Sequence, residues 1–276
     1  EGGYAGLMYA PLALCGYSEA FRAPFAAQLN PHVRFAPYPS GDLAGALEAL
    51  DAAWTDDVGA VVIEPMLGRG GVLAPAEGFL AALSERCRAR GALLVVDEIL
   101  TGLGRTGRFW AHEGARPDLI CAGKALGGGL PVSACIGRGD VMRAWGDPAG
   151  EAIHTATFAG HPIGCAAALA ALDVIEREGL ADRAREVGGA FRRELEGLRR
   201  HACVREVRGR GLLLGVVLDD GARTLRLVRA LLERGYLVLP AGPGAEVLSL
   251  TPPLTIAPEL LSGFAAVLDE LLAEDA

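Results

Sequence analysis

The stretch A-L-L-V-V-D-E-I-L-T-G-L-G-R-T-G (92–107) decides how this chain is read. Its first five residues, 92–96, are apolar without alternation, as in a strand buried on both faces of a parallel sheet. The run stops at Asp97, so this acid stands at the carboxyl edge of the sheet, where open α/β proteins keep their ligands. A carboxylate there is costly unless it meets a cation or a donor. The bland alternative for a lone Asp is a helix N-cap or a loop acid. The end of the stretch, Gly102-Leu103-Gly104-Arg105-Thr106-Gly107, is a literal GxGxxG. In a dinucleotide site the first Gly follows the strand directly and the last opens a helix. Here 97–101 intervene, Pro117 limits any helix that follows, and an acid in the first position would face the pyrophosphate. The dinucleotide reading fails on context.

Working outward, 58–63 (V-G-A-V-V-I), 119–122 and 132–136 are further short apolar runs that read as strands. Between the first two strands, 76–90 places Phe79, Leu80, Leu83 and Cys87 on one helical face. This alternation predicts an α/β fold with a mostly parallel central sheet flanked by helices. The Ala-rich segment 162–178 continues as a close-packing helix, and the charged segment 180–200 reads as a solvated linking helix. Beyond it the texture changes: strands at 204–207 and 212–218, a helix at 224–233, a strand at 237–239 and a final helix from Pro258. A boundary near residue 182 divides a large domain, 1–182, from a smaller α+β domain, 183–276.

Composition narrows the function classes. The 276 residues are 51% hydrophobic and 22% charged, which excludes disorder. A net charge of −8 argues against nucleic acid and against a polybasic membrane contact. No apolar run reaches the ~18 residues that span a bilayer. The six cysteines form no CxxC, and four lie in apolar stretches as small core residues, so a cytoplasmic protein is expected. His112, His154 and His161 lack metal-ligand spacing, and no GxSxG occurs; neither metal nor triad chemistry has a foothold.

Two further residues join Asp97. Glu64 ends the neighbouring apolar run just before Pro65, so two strand-terminal acids stand side by side. Lys124 follows the run L-I-C-A-G and precedes Ala125-Leu126-Gly127-Gly128-Gly129. Glycines on both sides allow close approach of a ligand. Poor hydration in this setting lowers a lysine's pKa and frees its amine for a Schiff base. Taken alone, a lysine after a strand is usually just solvated. A strand-end Asp followed by a strand-end Lys is what pyridoxal phosphate requires: the lysine holds the aldehyde, and the acid keeps the pyridine nitrogen protonated.

The motifs V-I-E-P-M-L-G-R-G-G-V (62–72), V-D-E-I-L-T-G-L-G-R-T-G (96–107), C-A-G-K-A-L-G-G-G-L-P (121–131) and T-F-A-G-H-P (157–162) resemble the class III aminotransferases, fold-type-I enzymes of the ω-amino, acetylornithine and 4-aminobutyrate type. V-R-G-R-G-L-L-L-G (207–215) and L-T-P-P-L-T-I (250–256) are similar to that family's C-terminal domain. The resemblance implies a transaminase moving an amino group between an amine or ω-amino acid and a 2-oxo acid. Lys124 would be the Schiff-base lysine and proton carrier, and Asp97 the partner of the pyridinium nitrogen. Tyr4 falls where the family stacks an aromatic on the ring. Thr157 falls where a threonine reaches the cofactor phosphate of the neighbouring subunit, implying a homodimer with shared sites. Glu64, the second strand-end acid, joins the cofactor-binding set. Other outcomes on the same scaffold are an aminomutase, racemase or decarboxylase, or a non-catalytic dimerising homologue. The family's length is on the order of 400 residues, more than two domains of ~150, so the chain starting Glu1-Gly2-Gly3-Tyr4 is expected to lack an N-terminal part.

Departures from the pattern are specific. Ala5 stands where His is frequent, and Leu100 where Gln approaches the cofactor's phenolic oxygen. Arg69 stands at the family's Glu, and Ser249 at the Arg that takes the 2-oxo acid carboxylate. The paired change suggests that Arg69 supplies the carboxylate-binding cation from the other side of the pocket, through a bidentate contact. A solvated Arg69 is the alternative.

Overall fold

A computed structural model describes residues 1–112, 114–144, 146 and 154–275. Two four-stranded sheets organise the chain. The first runs in chain order: β1 (Ala60–Ile63), β2 (Leu93–Asp97), β3 (Leu119–Ala122) and β4 (Ala134–Gly137). The first three are parallel and β4 returns antiparallel. β2 lies between two neighbours, which explains its unbroken apolar run.

Between β1 and β2 lies a helix (Phe79–Ala89) that packs Phe79, Leu83 and Cys87 against Leu94 and Val96 of β2. It begins three residues later than the periodicity predicts, because Gly78 stands in the left-handed region at φ 79° and ends the preceding turn. A second helix, Leu43–Ala53, is capped by Asp42, whose carboxylate accepts from Gly45 N at 2.9 Å. Its face of Ala46, Leu47 and Leu50 covers the same core. Sequence reading gave no helix there.

The second sheet is antiparallel, in the order β5 (Val204–Arg210), β6 (Leu213–Leu218), β8 (Val247–Leu250), β7 (Leu239–Ala241). β8 is not anticipated from sequence, and β7 begins two residues later than expected. Its Pro240 is tolerated because β7 is an edge strand, where a missing N–H breaks no ladder. Helices Gly221–Glu233 and Pro258–Glu274 cover this sheet.

The helix Leu180–Glu196 corrects the reading of 180–200 as solvated. It buries Leu180, Ala184, Gly188, Phe191 and Leu195. Leu180 packs with Leu103, Ala122, Leu126 and Ile175, whereas Ala184, Phe191 and Leu195 enter the core of the second sheet. Gly188 is pressed against the backbone of Gly211, leaving no room for a Cβ.

The GxGxxG segment opens no helix. It is a run of turns with Leu103, Gly104 and Gly107 at φ 59°, 93° and 88°. A Cβ on Gly107 would lie 2.9 Å from that of Arg185. Arg105 donates to the carbonyls of Leu212 (2.9 Å) and Pro252 (2.5 Å), and Leu212 N donates to Arg105 O at 3.0 Å. These glycines and this arginine form a seam between the sheets.

Cys15, Cys87 and Cys203 are buried, while Cys135 and Cys165 are exposed and Cys121 is half-buried. Among the described residues no helix is long and apolar enough to cross a membrane.

Candidate active site

The carboxyl ends of β1, β2 and β3 converge. Asp97 is the last residue of β2 and lies beside Cys121 in parallel register. Its Oδ1 accepts from Ile99 N at 3.0 Å, and among the described residues its other oxygen has no hydrogen-bond partner. Burial raises its pKa above the ordinary aspartate value against the opposing effects of that bond and of Lys124. Lys124 follows β3 by one glycine, at φ 46°, a conformation that side-chain-bearing residues adopt at a cost. Although the residue is exposed at the surface, desolvation of its ammonium lowers its pKa, opposed by attraction to Asp97 and Glu64. The glycines after it let this turn settle on the small side chains of the helix Pro162–Arg177; a Cβ on Gly128 would lie 3.4 Å from that of Ala171.

Glu64 directly follows β1. Its Oε1 accepts from Tyr4 N at 2.7 Å and its Oε2 from Gly68 N at 3.1 Å. Burial lifts its pKa to about 7 despite these bonds, with Asp97 pushing the same way and Lys124 opposing. A cavity of about 700 Å³ beside β1 is lined at one end by Tyr4, Ala5, Tyr38, Glu64 and Asp97. Lys124 and Arg69 do not line it.

Arg69 lies with its guanidinium carbon 5.1 Å from the ring centroids of both Tyr4 and Tyr17, which meet edge to face at 6.3 Å. No carboxylate pairs with it among the described residues. Its loop is held by backbone: Gly242 N donates to Arg69 O (2.9 Å), Arg208 Nε to Gly71 O (2.8 Å), and Tyr17 Oη to Gly242 O (3.2 Å). Leu100 packs beneath Gly68, in contact where any Cβ on that glycine would collide. Ser249 is a half-buried residue of β8 opposite Gly215 and Leu239.

Five of the six residues singled out by sequence thus form two adjoining groups: Asp97, Lys124 and Glu64, then Tyr4 and Arg69. Thr157 stands in an exposed turn, with no hydrogen bond to them among the described residues. Sequence reasoning missed Tyr17 and the buried set around Glu98. The Glu98 carboxylate accepts from His112 N (2.9 Å) and Thr101 Oγ1 (2.5 Å) and lies 2.8 Å from His112 Nδ1. Only the polarity of Glu98 inside an apolar stretch hinted at it.

The chain as a whole has counterparts among known proteins. The family model for aminotransferase class III matches residues 1–272. The chain belongs to that family. It is 44% identical over 253 residues to the acetylornithine aminotransferase of Mycobacterium tuberculosis, covering 86% of this chain and 59% of that protein. Identity to the acetylornithine aminotransferase of Methanopyrus kandleri is 40% over 278 residues, covering 99% and 67%. Among solved structures, the ornithine aminotransferase of Toxoplasma gondii superposes with a TM-score of 0.86 at 35% identity, over 99% of this chain and 63% of that one. The class-III chain described here therefore spans about three fifths of the length of the first of these curated relatives.

Proposed function

We propose that the protein carrying this chain is a pyridoxal-phosphate-dependent aminotransferase, moving an amino group between an amine or ω-amino acid and a 2-oxo acid. The observation that carries the reading is the convergence of Lys124 and Asp97 at adjacent strand ends, one amine and one carboxylate each held short of partners. The residues fit the cofactor. A half-buried carboxylate with one free oxygen calls for a cationic N–H, which a protonated pyridine supplies. A desolvated lysine calls for the neutral state in which its amine is nucleophilic.

When bound, pyridoxal phosphate supplies an aldehyde that condenses with amines and a ring that draws electrons from the substrate carbon. Asp97 holds the proton on the ring nitrogen. Lys124 Nζ, whose pKa desolvation lowers, would take a proton from one carbon and return it to another. Tyr4, which lines the cavity beside Glu64 and Asp97, would hold the ring from one side. Both oxygens of Glu64 are engaged by backbone amides, so its part is to position Tyr4 and the turn that leads to Arg69, in place of the direct cofactor contact expected from sequence. Arg69, with two aromatic rings and no acid partner among the described residues, would receive the substrate carboxylate.

The exposed turn of Thr157 and the exposed apolar residues Phe158, Ile163 and Leu169 support a homodimer in which Thr157 serves the neighbouring site. The change of packing partner between Leu180 and Ala184 supports the domain division 1–182 and 183–276. A cytoplasmic location is part of the same reading.

Borohydride reduction of the cofactor-loaded protein tests it. The expected result is a stable adduct on Lys124, located by peptide mapping and abolished in Lys124→Ala. An adduct on another residue, or none, overturns the assignment.

A further inference from the structure

The strand pairing that leads to Lys124 also sets two cysteines face to face. Cys121 on β3 and Cys135 on β4 are directly opposed in antiparallel register. The phase of this ladder is given by Arg138 N, which donates to Asp118 O at 3.0 Å. The carbonyl of residue 118 thus faces β4, and carbonyls alternate sides along a strand, so those of 119 and 121 face β2. The pair 121/135 is therefore non-bonded. Consistently, the Cys121 carbonyl turns away from β4 and accepts from Glu98 N at 2.9 Å. Non-bonded partners have Cα atoms about 4.5 Å apart with side chains on one face, within the roughly 4.4–6.8 Å that a disulfide bridges. Both thiols are free; burial, Asp97 and Cys135 together push the Cys121 thiol up to about 11.

We propose that Cys121 and Cys135 form a reversible thiol–disulfide site, oxidised by low-molecular-weight disulfides. The exposed Cys135 thiolate attacks one sulfur of the small disulfide, whose S–S bond breaks; one small thiol leaves and takes up a proton. Cys121 then loses its proton to solvent, and its sulfur displaces the second small thiol from Cys135. Two protein thiols are oxidised by two electrons, and one small disulfide is reduced to two thiols. The slow partner is Cys121, whose thiolate is scarce at neutral pH. The bridge ties β3 to β4, the last strand of this sheet among the described residues, three residues before Lys124 and on the face shared with Asp97. This inference stands apart from the proposed reaction and does not depend on it.

The test uses the intact protein incubated natively with 2-hydroxyethyl disulfide, followed by alkylation and trypsin. Cleavage after Arg108, Lys124 and Arg138 places the two cysteines in separate peptides, 109–124 and 125–138, because Arg116 precedes Pro117. The expected result is a linked species two hydrogens lighter than the sum of the free peptides, with loss of the alkylated form of both. Reductant restores both alkylated peptides. Cys121→Ser leaves Cys135 as a mixed disulfide only, and the exposed Cys165 gives only its own adduct. Wild-type protein that yields alkylated 109–124 beside 125–138 bearing the small adduct, as the serine variant does, overturns the proposal. Linkage of either cysteine to a different one does so equally.

Discussion

Asp97 and Glu98 are consecutive acids at one strand end, yet they live in opposite surroundings. Glu98 is 1% exposed and accepts from three donors, from His112 and Thr101, themselves buried. Asp97, half-buried, has one backbone amide on one oxygen and, among the described residues, nothing on the other. A buried carboxylate whose acceptor sites are filled organises the chain around it. One left short of donors at the ligand edge of a sheet is a receptor, because the missing partner must come from outside. Register explains how neighbours end so differently: Asp97 is the last strand residue, and Glu98, past it, starts the turn toward Gly102.

The largest effect should come from replacing each of the two in turn. Removing Glu98 as Glu98→Ala orphans three buried donors at about 1–3 kcal/mol each before relaxation, so a net loss of about 3–5 kcal/mol is expected. Urea unfolding of the cofactor-free protein measures it. Asp97→Asn keeps an acceptor for Ile99 N and removes a charge that burial disfavours. Its midpoint should stay within about 0.5 kcal/mol of wild type, while cofactor retention after gel filtration collapses. If both variants are equally destabilised, the contrast between structural and receptor carboxylates is wrong.

How much of this was legible beforehand divides along the same line. Strand ends were readable because apolar runs stop abruptly at Glu64, Asp97 and before Lys124, and those positions carry the proposed site. Strand β4 was located, yet its antiparallel direction was not, since direction is decided by the connection and not by local pattern. The segment 180–200 misled because its buried positions include Ala184 and Gly188, small residues whose burial comes from the close approach of Gly211. Tyr17 was invisible for a related reason: its significance lies in contacts to Arg69 and Gly242, 52 and 225 residues distant in sequence. The GxGxxG glycines do carry meaning, as a seam that lets backbones touch.

Glu64 sits between the two kinds of carboxylate, bonded at both oxygens yet lifted to about 7. Its folded-state pKa lies above the ordinary glutamate value of 4.5, so between those values the folded protein holds a proton that the unfolded chain has released. Stability contributed by this group is full below about pH 4.5 and is lost as pH rises through about 7. At ~1.4 kcal/mol per unit the change is at most about 3–4 kcal/mol. Unfolding midpoints of the cofactor-free protein from pH 5 to 8 should therefore decline more steeply in wild type than in Glu64→Gln. Equal slopes would place the burden on other groups and return Glu64 to the class of Glu98.

The smallest effects concern the cation that faces them. Arg69→Ala removes a charge-assisted contact of about 1.5–3 kcal/mol, a rise of roughly 10- to 100-fold in KM for a 2-oxo acid acceptor. An unchanged KM for every acceptor would return Arg69 to solvent. Tyr17→Phe keeps the ring against the guanidinium and deletes only the 3.2 Å bond to Gly242 O. A long neutral bond of this kind contributes about 0.5–1 kcal/mol, so KM should rise roughly two- to fivefold with kcat unchanged. Gly242 N also holds Arg69 O, so the hydroxyl acts through the loop that carries Arg69. In the Arg69→Ala background the same substitution should then have no further effect on KM. Additive penalties in the double variant would mean that Tyr17 touches the substrate itself, and the two rings would have to be read as separate parts of the pocket.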